Sequence, residues 1–257
     1  MASDWRHQLV RDGMPHRTGT PRVPWYPTLF SIALGVSDIP PHLGNLSNLQ
    51  TLDLSLSSLK LRNTEWLYKL SSLEYLDLSE STNPLGNVIA GLPSLIVLQL
   101  KSCRLQTTIG LEGGIPPSFG NFSNLRLLYL QWNSLKEDLH NFFNLLTPSE
   151  KSIQVIKLSL NKFSSLVPDF TKFTSLRELY LDRNEIQGFI SEKFKHILNL
   201  VIIDLAHNEI TGLLPDLSAL PSLMDLYFEY NRLERTLAER IMSLFEIQSL
   251  GGLIKSL

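Results

Sequence analysis

One apolar pattern recurs along the chain and follows the template L-x-x-L-x-L-x-x-N-x-L, with isoleucine or phenylalanine at some of the leucine positions. The spacings between successive copies are 24, 22, 30, 28, 23, 24 and 23 residues. Much of the leucine content, 52 of 257 residues, lies in this pattern. Eight copies in one frame predict a repeat architecture. They begin at Leu49, Leu73, Leu95, Leu125, Ile153, Leu176, Leu200 and Leu223.

The spacing of the apolar residues predicts what each repeat forms. The fourth and sixth positions alternate with a variable residue, so both point to the same face of a short strand. One repeat alone cannot bury its leucines, and neighbouring repeats must therefore stack, with parallel strands about 4.8 Å apart. The sequence predicts a solenoid in which a short strand and a return segment alternate.

A column of asparagines follows the predicted strands. A side-chain amide at this turn can satisfy buried backbone groups of adjacent coils. Cys103, the only cysteine of the chain, occupies the same column as Ser57 and Ser81, and we expect it to be a small buried residue of this ladder rather than a reactive thiol. The predicted asparagine ladder consists of Asn133, Asn161, Asn184, Asn208 and Asn231.

The repeats divide the chain into two parts. Residues 1–38 have no repeat and contain scattered prolines and arginines, so we expect a disordered leader. Its apolar run, 29–36, is shorter than the roughly 20 residues of a membrane span. Residues 39–257 form the array of about eight repeats and a degenerate ninth from Ile247, where Gly252 and Lys255 replace a leucine and the asparagine. We expect 235–250 to be a helical return that covers the open end.

Composition and motifs argue against several classes of function. The net charge is −2 and the isoelectric point is near 6.3, which gives no electrostatic basis for binding nucleic acid. The six histidines have no metal-ligand or catalytic spacing, and no nucleophile elbow or kinase signature is present. We therefore predict a protein that is not an enzyme, with no cofactor and no metal site.

Two columns of variable residues lie on the exposed side of the predicted strands. The inner column lies between the last two strand leucines and comprises Asp53, Asp77, Gln99, Tyr129, Lys157, Tyr180, Asp204 and Tyr227. The outer column lies three residues further on and comprises Leu56, Glu80, Ser102, Trp132, Leu160, Arg183, His207 and Tyr230. Aromatic residues and arginine dominate protein-binding hot spots. We predict a ligand-binding strip made of Tyr129, Trp132, Tyr180, Arg183, His207, Tyr227 and Tyr230.

Several segments extend the template with an L-x-G-x-I-P-type sequence. They read IPPHLGNLSNL at 39–49, GGIPPSFGNFSNL at 113–125 and ITGLLPDLSALPSL at 210–223. With TEWLYKLSSLEYLDLS at 64–79, they resemble plant extracellular leucine-rich repeat receptors, in particular receptor-like proteins of the fungal-elicitor receptor class. The resemblance implies an α/β leucine-rich repeat solenoid, with a curved parallel β-sheet on the concave face. The convex face would hold 3-10, irregular or helical returns.

The resemblance also implies a function. It suggests a non-catalytic segment of a cell-surface receptor that binds a peptide or protein ligand in innate immunity and signals through a co-receptor kinase. In such a secreted protein, Asn45 and Asn121 would be glycosylation acceptors, since both begin an N-x-S sequon. The parent family acts at the extracellular side of the plasma membrane.

The chain departs from complete members of that family. They have a signal peptide, cysteine-paired caps, more repeats and a membrane span, so we expect a truncated receptor-like protein. Two alternatives stay open at this stage. One is a secreted inhibitor of microbial cell-wall-degrading enzymes, and the other is a truncated gene product without a function of its own.

Overall fold

The chain forms a stack of repeats around parallel strands in a computed structural model, which describes residues 28–29, 41–55, 65–81, 92–103, 115, 117–217 and 220–234. Among these residues, no helix has the length and apolar character that crossing a bilayer demands. The strands are β1 Thr28–Leu29, β2 Thr51–Asp53, β3 Tyr75–Asp77, β4 Val97–Gln99, β5 Leu127–Tyr129, β6 Val155–Lys157, β7 Ser164–Leu166, β8 Glu178–Tyr180, β9 Glu185–Gly188, β10 Ile202–Asp204, β11 Glu209–Gly212, β12 Asp225–Tyr227 and β13 Arg232–Leu233.

Within the part of the chain that the structure describes, the main sheet has nine strands in the order β1-β2-β3-β4-β5-β6-β8-β10-β12, and every pair is parallel. In every strand of this main sheet after β1, the central residue is the apolar residue at the fourth position of the sequence template. These residues are in register across the sheet, as the pairs Leu52 with Leu76 and Ile156 with Leu179 show. The predicted repeat solenoid with a parallel sheet is confirmed.

The sheet extends by one strand beyond the first repeat recognised in the sequence. Thr28 and Leu29 pair in parallel with Thr51 and Leu52, 23 residues further on. Two residues of the predicted leader therefore continue the repeat spacing. Most of that leader, the predicted helical return at 235–250 and the degenerate ninth repeat lie outside the described residues.

Short helices supply the return segments. Among the described residues, 3-10 helices span Pro41–Asn45, Glu65–Lys69, Pro117–Asn121, Thr147–Ser149 and Glu192–His196. One α-helix, α1 Leu139–Leu145, lies in the longer return between β5 and β6. The Asp138 side chain accepts a hydrogen bond from the Asn141 N–H at 2.8 Å and caps its first turn. Leu139, Phe142 and Phe143 lie at helical spacing and are buried, so this insertion adds to the core.

The core is a continuous apolar layer between the strands and the returns. The strand leucines are fully buried, and phenylalanines fill the space behind them in the middle repeats. Phe143 lies 4.7 Å from Phe170 and 5.3 Å from Phe173, measured between ring centroids in edge-to-face geometry. Phe170 in turn contacts Phe194 at 5.4 Å. Aromatic contacts of this geometry connect neighbouring coils.

A second, four-stranded parallel sheet lies beside the main one, in the order β13-β11-β9-β7. The repeat template did not predict this second sheet. Its strands follow the asparagine column, and β9 and β11 end at Gly188 and Gly212, whose φ angles are +82° and +79°. These two glycines are the G of the L-x-G extension, where the left-handed backbone favours a residue without a Cβ.

Candidate functional site

The asparagine ladder fixes the turn after each strand of the main sheet. The Asn161 Nδ2 donates to the carbonyls of Leu130 and Leu158, each at 2.9 Å. Its Oδ1 accepts from the N–H groups of Asn133 at 3.2 Å and Leu135 at 2.9 Å. The amides of Asn133, Asn184, Asn208 and Asn231 make the same kind of bridge between two coils. The strands are thereby held at a constant orientation.

Cys103 takes the ladder position in the third repeat. Its thiol is fully buried and donates to the Leu78 carbonyl at 3.1 Å, while its N–H donates to the Asn133 Oδ1 at 2.8 Å. Burial raises the pKa of the Cys103 thiol to about 11. The thiol is therefore protonated at neutral pH and has the geometry of a structural residue. Ser81, one repeat earlier, is buried beside it, and Ser57 lies outside the described residues.

The outer column has an unusual backbone. Each described member has a positive φ, between 54° and 65°, although none is glycine: Glu80, Ser102, Trp132, Leu160, Arg183, His207 and Tyr230. In six of them the N–H donates to a carbonyl in the next repeat, as the Leu160 N–H does to the Asp182 carbonyl at 3.0 Å. Such a conformation costs about 1–2 kcal/mol per residue, so the surrounding bonds must hold it. It turns the chain inward for the asparagine and leaves the outer-column side chain at the surface.

The inner column brings Tyr129, Lys157 and Tyr180 together on adjacent strands. The Lys157 Nζ lies 4.2 Å from the ring centroid of Tyr180 and 5.6 Å from that of Tyr129. It also lies 3.8 Å from the Glu178 Oε2. These distances define a cation–π arrangement with one carboxylate beside it. Both tyrosines belong to the predicted strip, whereas Lys157, in the same column, was not among its predicted residues.

The remaining predicted strip residues lie further along the same face. The rings of His207 and Tyr230 stack with their centroids 4.1 Å apart and an angle of 14° between their planes. Trp132 and Tyr230 are 56% and 60% exposed, and Arg183 is also exposed. Tyr227 is half-buried in the inner column, next to Asp204. The described structure thus places all seven predicted residues along one strand face.

Asp204 gives this face a second electrostatic feature that the sequence analysis did not single out. Burial raises the pKa of its carboxyl to about 7, and the negative charges of Asp182 and Glu229 act in the same direction. A hydrogen bond from the Ala206 N–H and the nearby Arg183 oppose this shift. Burial also raises the pKa of Tyr180, as do Glu178, Asp204 and Asp225, so its phenol stays neutral.

An apolar row lies on the flank of the solenoid, beside the second sheet. Leu166 and Phe189 are 63% and 67% exposed, and Leu213 occupies the equivalent position of the next repeat. Leu166 covers Gly188, and Phe189 lies against Gly212. This apolar row was not predicted from the sequence. Its signal was an apolar residue three positions after the last template position in three successive repeats.

The two predicted sequon asparagines occupy the same place in two different repeats. Asn45 and Asn121 are each the last residue of a 3-10 helix in the returns, and both are exposed. The described residues contain no group of three or more histidine, cysteine or acidic side chains that could hold a metal ion. What the site offers is aromatic, cationic and acidic groups for recognition.

Comparisons with known proteins agree with this architecture. The family described as Leucine rich repeat matches residues 174–233. The chain has the leucine-rich repeat fold. It is 30% identical over 179 residues to Receptor-like protein EIX2 of Solanum lycopersicum, which confirms the resemblance to plant receptor-like proteins. That match covers 67% of this chain and 17% of the tomato protein, so the chain spans about a sixth of its relative.

Two solved structures show similar leucine-rich repeats. One is the LRR ectodomain of the plant membrane receptor kinase GASSHO1/SCHENGEN3 from Arabidopsis thaliana, in complex with CASPARIAN STRIP INTEGRITY FACTOR 2. It has a TM-score of 0.67 and 28% identity, and the match covers 77% of this chain and 23% of that one. The other is the ectodomain of the Arabidopsis receptor kinase HAESA in complex with an IDA peptide hormone ligand. Its TM-score is 0.61 at 26% identity, covering 77% and 32% of the two chains.

Proposed function

We propose that this chain is a non-catalytic, peptide- or protein-binding segment of a plant cell-surface leucine-rich repeat receptor-like protein. The observation that carries the proposal is the alignment of Tyr129, Tyr180 and Tyr227 on one strand face, interleaved with charged groups. Aromatic rings held on a rigid sheet contribute large contact areas with little loss of conformational entropy on binding. The complexes of the two Arabidopsis ectodomains, one with CASPARIAN STRIP INTEGRITY FACTOR 2 and one with an IDA peptide hormone, support the same use of the fold.

The resemblance to receptor-like proteins supports a proposal for the role of the parent protein. Likeness to receptor-like proteins of the fungal-elicitor class supports perception in plant defence, with the signal passing to a co-receptor kinase. The exposure of Asn45 and Asn121 on return segments fits glycosylation at the extracellular side of the plasma membrane. Expression of the chain behind a plant signal peptide, followed by enzymatic deglycosylation, tests whether Asn45 and Asn121 are glycosylated. A mobility shift that disappears in the Asn45→Gln, Asn121→Gln double variant supports it, and the absence of a shift contradicts it.

Selection of peptides on the full-length chain tests the binding face. A random 12-residue phage-displayed library is the probe, and binding of the selected peptides is measured by biolayer interferometry on the wild type and on single alanine variants. We expect Tyr180→Ala, Arg183→Ala and Tyr227→Ala to weaken binding by about tenfold each, the typical size of a hot-spot truncation.

Tyr68 provides the matched control, since it is an exposed tyrosine on the 3-10 helix Glu65–Lys69, away from the strands. Tyr68→Ala should leave peptide binding unchanged. Far-UV circular dichroism of each variant checks that the fold is intact. Selected peptides that bind the three strip variants as tightly as the wild type would disprove the assignment of this face. Failure to enrich any peptide above an empty surface would disprove peptide binding itself.

A further inference from the structure

The inner column of the main sheet already contains one cation held between aromatic rings. Tyr129 and Tyr180 stand two strands apart in the inner column, and Lys157 stands between them. The Lys157 Nζ lies within 6 Å of both ring centroids, at 5.6 Å and 4.2 Å, the range in which a cation is attracted by an aromatic face. Glu178 supplies a carboxylate at 3.8 Å. Two tyrosines at this spacing therefore accommodate an ammonium group in this protein.

The same spacing occurs again two strands further along the sheet. Tyr180 and Tyr227 flank Asp204, and the three residues are in direct register on β8, β10 and β12. Adjacent strands lie about 4.8 Å apart, so a group held above Asp204 lies within reach of both rings. The central residue is now an acid instead of a lysine. This second slot, formed by Tyr180, Asp204 and Tyr227, has tyrosines on both sides like the first, with an acid in place of the lysine.

The surroundings of this slot are acidic. Asp182 and Glu229 act on Asp204, and Glu178 and Asp225 act on Tyr180, while Arg183 is the cation that acts on Asp204. The Oε2 of Glu229 is enclosed and makes no hydrogen bond within the described structure. Acidic groups therefore outnumber the basic one among the residues that act on Asp204 and Tyr180.

We propose that this second slot receives a positively charged side chain, a lysine or an arginine, of the peptide ligand. The inference rests on the proposed function, because it assigns one residue of the ligand to one part of the strip. The charged group of the ligand would lie above Asp204, between Tyr180 and Tyr227. The Lys157 ammonium has the equivalent place between Tyr129 and Tyr180. The acidic rim would also disfavour ligands with a carboxylate at that point.

The proposal implies that binding and protonation are linked. A cation above Asp204 favours the ionised carboxylate, whose pKa is about 7 in the free chain, so binding should tighten as the pH rises from 5.5 to 8. The groups that face Asp204 are Asp182, Glu229, Arg183 and the two tyrosines, with Glu178 and Asp225 beside Tyr180. His207 lies on the same face, stacked on Tyr230, and the pH dependence should persist in His207→Gln.

A double-mutant cycle between ligand and protein tests the assignment. Each basic residue of the phage-selected peptides is replaced by glutamine, and binding is measured to the wild type and to Asp204→Asn. Asparagine keeps the acceptor for the Ala206 N–H, so the turn is preserved. We expect one basic residue whose replacement weakens binding to the wild type about tenfold, but weakens binding to Asp204→Asn less than twofold.

Asp53 provides the matched control. It stands in the same inner column, and its Oδ1 accepts from the Ser55 N–H at 2.9 Å, as that of Asp204 accepts from Ala206. Its neighbour in the column on β3 is Asp77 rather than a tyrosine. With Asp53→Asn the tenfold effect of the basic residue should remain.

The outcomes separate the two proposals. If selected peptides bind through the strip but contain no basic residue, or show no coupling to Asp204, the slot assignment is wrong and the binding face stands. If no selected peptide is sensitive to the strip alanine variants, the binding face itself is wrong.

Discussion

Removing one rung of the asparagine ladder gives a direct measure of what holds the coils together. Asn161 is buried, 8% exposed, and makes four hydrogen bonds, one within its own coil and three to the preceding coil, at 2.9, 2.9, 3.2 and 2.9 Å. At a net contribution of about 1 kcal/mol per bond, Asn161→Ala should reduce the free energy of unfolding by about 4 kcal/mol. The backbone groups left behind are enclosed, so water cannot fully replace the amide.

Urea unfolding followed by far-UV circular dichroism measures this loss. With a denaturant dependence of about 2–3 kcal/mol/M, the midpoint of Asn161→Ala should fall by more than about 1 M relative to the wild type. Two further asparagine variants give losses of stability for comparison. Asn231→Ala, at a half-buried rung with bonds at 2.8, 3.0 and 3.0 Å, should cost less, because solvent reaches that site.

Asn199→Ala is the surface control. Asn199 is exposed and donates one side-chain bond, to the Thr174 carbonyl at 2.7 Å, so its loss should stay below about 1 kcal/mol. The expected order of destabilisation is Asn161, then Asn231, then Asn199. If Asn161→Ala were no more harmful than Asn199→Ala, the ladder would not be a main source of cohesion and the reasoning would be refuted.

Three further outcomes are expected. Cys103 is buried with a raised thiol pKa, so at pH 8 it should react with 5,5′-dithiobis(2-nitrobenzoic acid) only in denaturant, and rapid labelling of the native chain would contradict its ladder role. Gly188→Ala places a Cβ against the Leu166 Cδ2 at a φ of +82°, which should lower the free energy of unfolding by about 1–2 kcal/mol. The double variant Gly188→Ala, Leu166→Ala should recover part of that loss, and urea midpoints measure both variants. The folded-state pKa of Asp204 lies above its unfolded value, so the folded state disfavours its ionised form and stability should fall as the pH rises from about 4 to 7. Asp204→Asn should remove that part of the decline, and equal slopes for variant and wild type would contradict it.

Sequence periodicity determines a large part of this fold. The leucine columns, the parallel register and the ladder positions follow from residues that recur at one spacing, because each repeat has the same neighbours on both sides. Cys103 illustrates how far this extends, since its place in the asparagine column was enough to predict a buried structural thiol. The fold class and the positions of the two surface columns could therefore be predicted from the residues alone.

Other features of the fold and of the site depend on contacts between repeats that the repeat pattern does not specify. The second sheet arises where segments after the asparagine pair with each other, and its short strands have no apolar alternation of their own. The slot around Asp204 likewise depends on charges in the segments that follow β8 and β12, and the raised pKa of Asp204 arises from that arrangement. Lys157 was visible in the inner column, but its place between two rings required the side-chain geometry.

The left-handed outer column has a consequence for how such proteins diversify. Seven chemically different side chains adopt φ angles within 54° to 65°, so the backbone path at this point does not depend on which residue is present. The hydrogen bonds between repeats and the buried asparagine amides fix the backbone path, so folding does not depend on which side chain stands in the outer column. A lineage can therefore exchange these residues one at a time and explore new ligands while the scaffold keeps its shape. Shape and specificity are inherited through separate positions of the same repeat.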